Sequence, residues 1–158
     1  AEALGIPPGP ERGMLVAGKS ITLKDGREIH PDDVLGAASP GVKYVYVGDC
    51  GNVDNLYDVA ADADCLVIEA TYLEDEADMA RQFRHMTAAG AARFAKDAGA
   101  KGLILNHISR RSREFEIRRE AQAFFPDAIV ARDFDHFVIA RDRLLLRVEA
   151  NSDGTAPA

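Results

Sequence analysis

Three residues that are expensive to bury stand at the ends of apolar runs in this chain: Asp49 after VKYVYVG, Glu69 after CLVI, and His107 after GLILN. Each run is short and β-rich, and reads as a buried strand. In open α/β sheets the carboxyl ends of the strands form the crevice where ligands bind, so groups at three successive ends converge on one place. A carboxylate and an imidazole meeting there suit a divalent metal, with Asp49 and His107 as the natural ligands. Taken singly, Asp49 could cap a helix and His107 could bond a loop carbonyl; the convergence is what favours a site. His85 lies in the loop FRHMTA, just before a residue, Thr87, that suits a helix N-cap. The positive end of a helix dipole disfavours the protonated imidazole, which poises His85 for proton transfer near neutral pH. Arg110 and Arg111 share a loop with His107 and Ser109. A guanidinium there can fork onto a phosphate.

Other reactive residue types have plainer readings. The remaining arginines of RRSREFEIRRE read as a solvated helix face with Glu–Arg pairs. Cys65 opens a buried strand and Cys50 has no second Cys or His close by, so both read as packing residues. His30 falls in a loop-rich stretch, and His136 in a terminal strand pattern as a solvent-facing residue.

The elements that must hold these groups follow from the pattern between them. Residues 42–49, 65–69 and 101–109 are the strand-bearing segments. NVDNLYDVAADAD places Val53, Leu56, Val59 and Ala60 at helical spacing. EDEADMARQF, within 72–84, is strongly helix-forming with its acids at the front. A further helix, AAGAARFAKDAG, runs from the Thr87 cap to Gly99, and EFEIRREAQAFF is stopped by Pro126. AIVAR, HFVIA and RLLLRVE read as three closing strands. Strands alternating with helices imply parallel pairing with right-handed crossovers, and hence an α/β layer over 42–149. Residues 1–41 are dense in Gly and Pro and read as loops, except for an exposed hairpin over 20–29 turning through the two residues Asp25-Gly26. The tail NSDGTAPA, 151–158, reads as frayed.

Composition sets the outer bounds. The chain has 158 residues, 47% hydrophobic and 28% charged, with a formal net charge of −7, which is about one domain's length with enough apolar content for a core. No apolar run approaches the roughly 18 residues of a bilayer span, so no membrane partner is expected. Two cysteines make no disulfide scaffold, and a reducing cytoplasm is the default. The acidic balance argues against coating nucleic acid by bulk charge, and leaves room for a local basic patch.

Taken together, the GD pair at 48–49 followed by a helix, EAT at 69–71, RHMTA at 84–88 and LNHISRR at 105–111 resemble the C-terminal half of ribonuclease Z, a tRNA 3′-processing endonuclease family of the metallo-β-lactamase superfamily. LGIPPGP, the DG hairpin and FPDAIVARDF resemble the family too, so the resemblance runs from about Leu4 to Ile139. It implies an αβ/βα sandwich of which this chain is the C-terminal half. It implies that Asp49 bridges two metal ions, that His107 is the last histidine ligand, that His85 is the proton donor and that Glu69 orients it. Ser109, Arg111 and Thr87 would contact substrate phosphate. The ions would be two Zn2+, with Mn2+ or another divalent metal as alternatives, the substrate precursor tRNA, and the assembly a cytoplasmic homodimer.

The chain also departs from that pattern. Cys50 stands where the family usually has Thr, Ile68 where the first His of H-E-A-T would be, and Ser112 where an aromatic is usual; the chain runs on past Arg141, beyond the expected end of the family. The motif H-x-H-x-D-H, which supplies most metal ligands in the family, is absent from the chain. A two-metal site needs roughly six or seven protein donors, so most ligands are expected in an N-terminal half outside these residues, and the burial of a complete core is expected to fail on one sheet face. Two alternatives stay open: another hydrolase of the superfamily, arylsulfatase-like or a cyclic-nucleotide phosphodiesterase, and an inactive dimerisation or scaffold piece.

Overall fold

The apolar runs assemble side by side. A computed structural model describes residues 1–37, 41–140 and 143–148. Its chain divides into two units, Ala1–Pro40 and Gly41–Ala158. In the second unit, β3 (Tyr44–Val47), β4 (Cys65–Glu69), β5 (Leu103–Asn106) and β6 (Ile129–Val130) form one sheet in the order β3-β4-β5-β6, every pair parallel. Parallel neighbours need crossovers, and these carry α2 (Tyr57–Ala60), α3 (Ala77–Phe83), α4 (Ala88–Asp97) and α5 (Glu114–Gln122). The register sets Glu69 opposite Asn106, so strand ends that looked equivalent in sequence are level in space.

Side chains alternate between the two faces of this sheet. Leu66, Ile68, Leu103, Leu105 and Val130 point to the face that shares a core with α4 and α5, where they meet Phe94, Ile117 and Ala121. Helix α4 buries five alanines and Phe94, and its small side chains let the helix lie close on the strands. Thr87 caps it as expected, accepting from the Gly90 N–H at 3.0 Å, and Gly99 ends it in a left-handed conformation, φ 71°. On the opposite face Cys65, Val67 and Ile104 are buried against Ala131, Phe137 and Ile139.

Several expected elements take a different form. AIVAR does not close the molecule with its successors: β6 joins the parallel sheet, while β7 (His136–Ala140) and β8 (Arg143–Val148), among the described residues, pair only with each other, antiparallel. Strand periodicity alone does not specify a partner. The helix read over NVDNLYDVAADAD shrinks to Tyr57–Ala60, because the Asn52 side chain accepts from the Asp54 N–H at 2.7 Å and holds the start of the segment in a turn; Val59 is exposed. The tail at 151–158 lies outside the described residues.

The first unit is more regular than its composition implied. A helix, α1 (Pro10–Val16), occupies part of the stretch read as loop, with Pro10 in its first turn where its missing N–H costs nothing. The hairpin β1 (Ile21–Thr22) and β2 (Glu28–Ile29) is present, but its connection spans three residues, Lys24 to Gly26. Gly26 N–H bonds Leu23 O at 2.9 Å and Leu23 N–H bonds Arg27 O at 2.8 Å, with Gly26 at φ 87°. Nor is it wholly exposed, since Ile21 and Ile29 bury one face with Ile6 and Leu15.

Candidate active site

At the carboxyl end of the sheet the sequence-predicted groups do meet. β4 delivers Glu69 on the same face as Cys65 and Val67, and the side chain is fully buried. A buried carboxylate needs donors, and three surround it. The Cys50 N–H donates to Oε1 at 2.6 Å, and the Thr71 hydroxyl lies 2.5 Å from Oε2. His85 Nδ1 faces both oxygens, at 3.0 and 2.9 Å, so Nδ1–H points into the carboxylate and Nε2 points away. Glu69 and the His85 ring are thus hydrogen-bonded to one another.

His107 follows β5 in a left-handed conformation, φ 54°, unusual for a residue with a Cβ. Its Nδ1 is 2.9 Å from Thr71 Oγ1 and 3.4 Å from Asp49 Oδ1, and its ring centroid is 5.2 Å from that of His85. Asp49, His85 and His107 bring one donor atom each to within 4.8 Å of one another. With metal–ligand distances of about 2.0–2.2 Å, a small side-chain rotation would let such a trio share one divalent ion. The donor types, carboxylate and imidazole, fit that group, though three donors are fewer than a two-metal centre needs.

The loops carrying these residues are pinned to one another. A Cβ on Gly51 would fall 2.7 Å from Arg84 Cα, so the loop after Asp49 packs directly on the backbone beside His85. Arg84 itself takes φ 60° to end α3. Glu120 on α5 accepts from Glu74 N–H at 3.0 Å and from Ala89 N–H at 2.9 Å, tying together both ends of the segment that contains His85.

The expected phosphate contacts are placed less directly. Ser109 N–H donates to Thr71 O at 3.2 Å, and its hydroxyl accepts from Arg111 N–H. The Arg111 guanidinium rests on Met79 Sδ at 2.9 Å and over the Tyr72 ring, whose centroid is 6.0 Å from His85. The Thr87 hydroxyl is already committed: it caps α4 and donates to Glu74 at 2.6 Å, so a phosphate would compete with that carboxylate. The bonds from Thr87 and Arg93 hold the Glu74 carboxyl below its usual range.

Two departures noted in the sequence can now be placed. Ile68 lies on the helix-side face of β4 and is fully buried there, pointing away from Glu69, so it leaves the site untouched. Cys50 serves through its backbone N–H, while its thiol donates to Asn52 O. The residue that sequence reasoning passed over is Thr71. Its signals are its place in the EAT motif and its spacing, two residues past Glu69 and hence on the same side of an extended chain.

A family model for the β-lactamase superfamily domain matches residues 15–108. The chain belongs to the β-lactamase superfamily. Within that superfamily it is similar to a ribonuclease Z of Bradyrhizobium diazoefficiens, 47% identical over 137 residues that cover 87% of this chain and 46% of the relative. It is also similar to a ribonuclease Z of Myxococcus xanthus, 48% identical over 111 residues, 70% of this chain and 36% of the relative. The chain spans about half the length, or less, of these relatives. Among solved structures, the metallo-β-lactamase fold protein YhfI from Bacillus subtilis matches 56% of this chain and 36% of its own, with a TM-score of 0.52 and 29% identity. The fold is the metallo-β-lactamase one, and membership of this superfamily implies divalent metal binding. Among the described residues no helix is long and apolar enough to cross a membrane.

Proposed function

We propose that this chain supplies the C-terminal half of the active site of a metal-dependent endoribonuclease that removes the 3′ trailer of precursor tRNA, leaving a 3′-hydroxyl. The observation that carries the reading is the Glu69–His85 pair beside Asp49 and His107, in a chain 47% identical to a ribonuclease Z. Asp49 and His107 would hold divalent metal, Zn2+ first among the options, which when bound supplies Lewis-acid stabilisation of phosphoryl charge and an activated water. His85 acts at the leaving group. Its Nδ1–H is anchored on a buried carboxylate, which fixes the ring and leaves Nε2 free to deliver a proton to the departing 3′-oxygen. Glu69 sets that orientation and takes no proton itself. Ser109 and Arg111, on the loop after His107, are the groups for a substrate phosphate.

Because Asp49 and His107 give two donors to a site that needs roughly six or seven, the active unit in this reading includes ligands from outside the chain, and the 158 residues alone bind no stoichiometric metal. The deciding assay compares cleavage of a 3′-extended precursor tRNA with that of a small chromogenic diester, using a protein of the relatives' length that carries this chain. Cleavage at the tRNA 3′ end is the expected result. Turnover of the small diester without tRNA cleavage would move the assignment to another hydrolase of the superfamily, and absence of both would leave a scaffold or dimerisation role.

A further inference from the structure

We infer that Thr71 is a positioning residue whose single hydroxyl fixes the tautomer of His107 and couples it, through Glu69, to His85. Three of its contacts carry this. The hydroxyl oxygen is 2.5 Å from Glu69 Oε2, 2.9 Å from His107 Nδ1 and 2.9 Å from the His107 carbonyl oxygen. The backbone carbonyl of the same residue accepts from Ser109 N–H, two residues past His107. Thr71 therefore grips the His107 loop from both its side chain and its main chain, at the point where that loop takes its left-handed turn.

One hydroxyl has one proton. Of its two acceptors, the ionised carboxylate is the nearer and the stronger, so the proton goes to Glu69 Oε2. The oxygen is then left with lone pairs facing His107 Nδ1, and the bond between them is satisfied only if Nδ1 carries the hydrogen. His107 is thereby held as the Nδ1–H tautomer with its Nε2 lone pair directed away from the protein. His85 reaches the same state by a shorter route, its Nδ1–H lying directly on Glu69. The chain of donors runs from His107 to Thr71 to Glu69, with His85 entering from the other side. One buried carboxylate and one hydroxyl thus hold the Nδ1 sides of two imidazoles whose ring centroids are 5.2 Å apart. Valine has the shape of threonine but can neither accept nor donate; serine keeps the hydroxyl and loses only a methyl group.

The fixed tautomer deepens the proposed reading and rests on it only where catalysis is concerned. The test uses nitrogen-15 NMR of the imidazoles in the metal-free chain, above their titration range. The expected result is that His107 and His85 both show protonated Nδ1, that Thr71→Val returns His107 alone to the Nε2–H form that predominates for free imidazole, and that Thr71→Ser restores the parent spectrum. A parent His107 found with its proton on Nε2 overturns the proposal, whether or not any variant folds. In the longer, metal-loaded protein Thr71→Val should lower metal affinity by about 10- to 100-fold, the usual loss when the partner that orients a ligating histidine is removed, and Thr71→Ser should recover it. Unchanged affinity in Thr71→Val also overturns the coupling. If the spectra behave as expected while the parent cleaves no RNA, the proposed function fails and the tether stands.

Discussion

The two faces of the four-stranded sheet do different work. On the helix side every central strand position is aliphatic and covered: Leu66, Ile68, Leu103 and Leu105 have no exposed surface. On the other side the same strands run from Cys65 through Val67 to Glu69, and from Ile104 to Asn106, passing from packing residues to polar ones as they approach the carboxyl end. That face is also covered unevenly. Val67 and Ile104 are buried under residues that include Phe137 and Ile139, whereas Tyr44 and Tyr46 on the edge strand are 53% and 59% exposed. The expectation that burial would fail on one face therefore holds at β3 and not across the sheet. One face is spent on stability; the other holds functional groups level with one another by sharing strand register with a small, dry platform.

Substitutions should separate these roles, and the largest effect belongs to the site. His85→Ala is expected to lower turnover of precursor tRNA about 10²- to 10⁴-fold, with metal content near that of the parent; full activity in that variant would remove the proton-donor role. On the helix side, Leu105→Ala should lower unfolding free energy by about 2–5 kcal/mol, read from urea denaturation, and a small loss there would mean that α4 and α5 collapse readily onto the gap. Ile104→Val, one residue away and facing the other side, should cost only about 0.5–1.5 kcal/mol; equal costs for the two faces would erase the distinction. Burial pushes the Cys65 thiol up to about 11. An unfolded thiol ionises near about 8.5, so the stability that Cys65 contributes is full below that pH and declines as pH rises through 11. Alkylation of the native chain should accordingly label Cys50 and reach Cys65 only after denaturant is added; early labelling of Cys65 would show that its face opens. Tyr46→Ser should shift stability by no more than about 0.5 kcal/mol, measured in the same urea titration.

The site was more legible in the sequence than the frame around it. Asp49, Glu69 and His107 stood out because a charged or imidazole side chain terminating an apolar run has few places to go, and His85 because it preceded a recognisable cap. Thr71 did not, since a hydroxyl is tolerated almost anywhere and its importance depends on three atoms brought in from two other segments. Helix α1 was hidden by Pro10 and Gly13, which read as loop punctuation although proline suits a first helical turn. The early part of the α2 segment carried a helical pattern that the Asn52 side chain overrides with a local turn. The separate pairing of β7 with β8 could not be read at all, because alternation fixes which face is apolar and says nothing of the neighbour.

Glu120 carries a consequence in time. Its carboxylate closes the segment that contains His85 by bonding Glu74 and Ala89, which lie 46 and 31 residues earlier in the chain. A chain made from its N-terminus has His85, Glu69 and their intervening helix well before the residue that clamps them. During synthesis the His85 loop must therefore wait, its amides satisfied by water, until α5 has been made and docks. Among the described helices α5 is the last to be made, and its Glu120 is what ties down the segment containing His85.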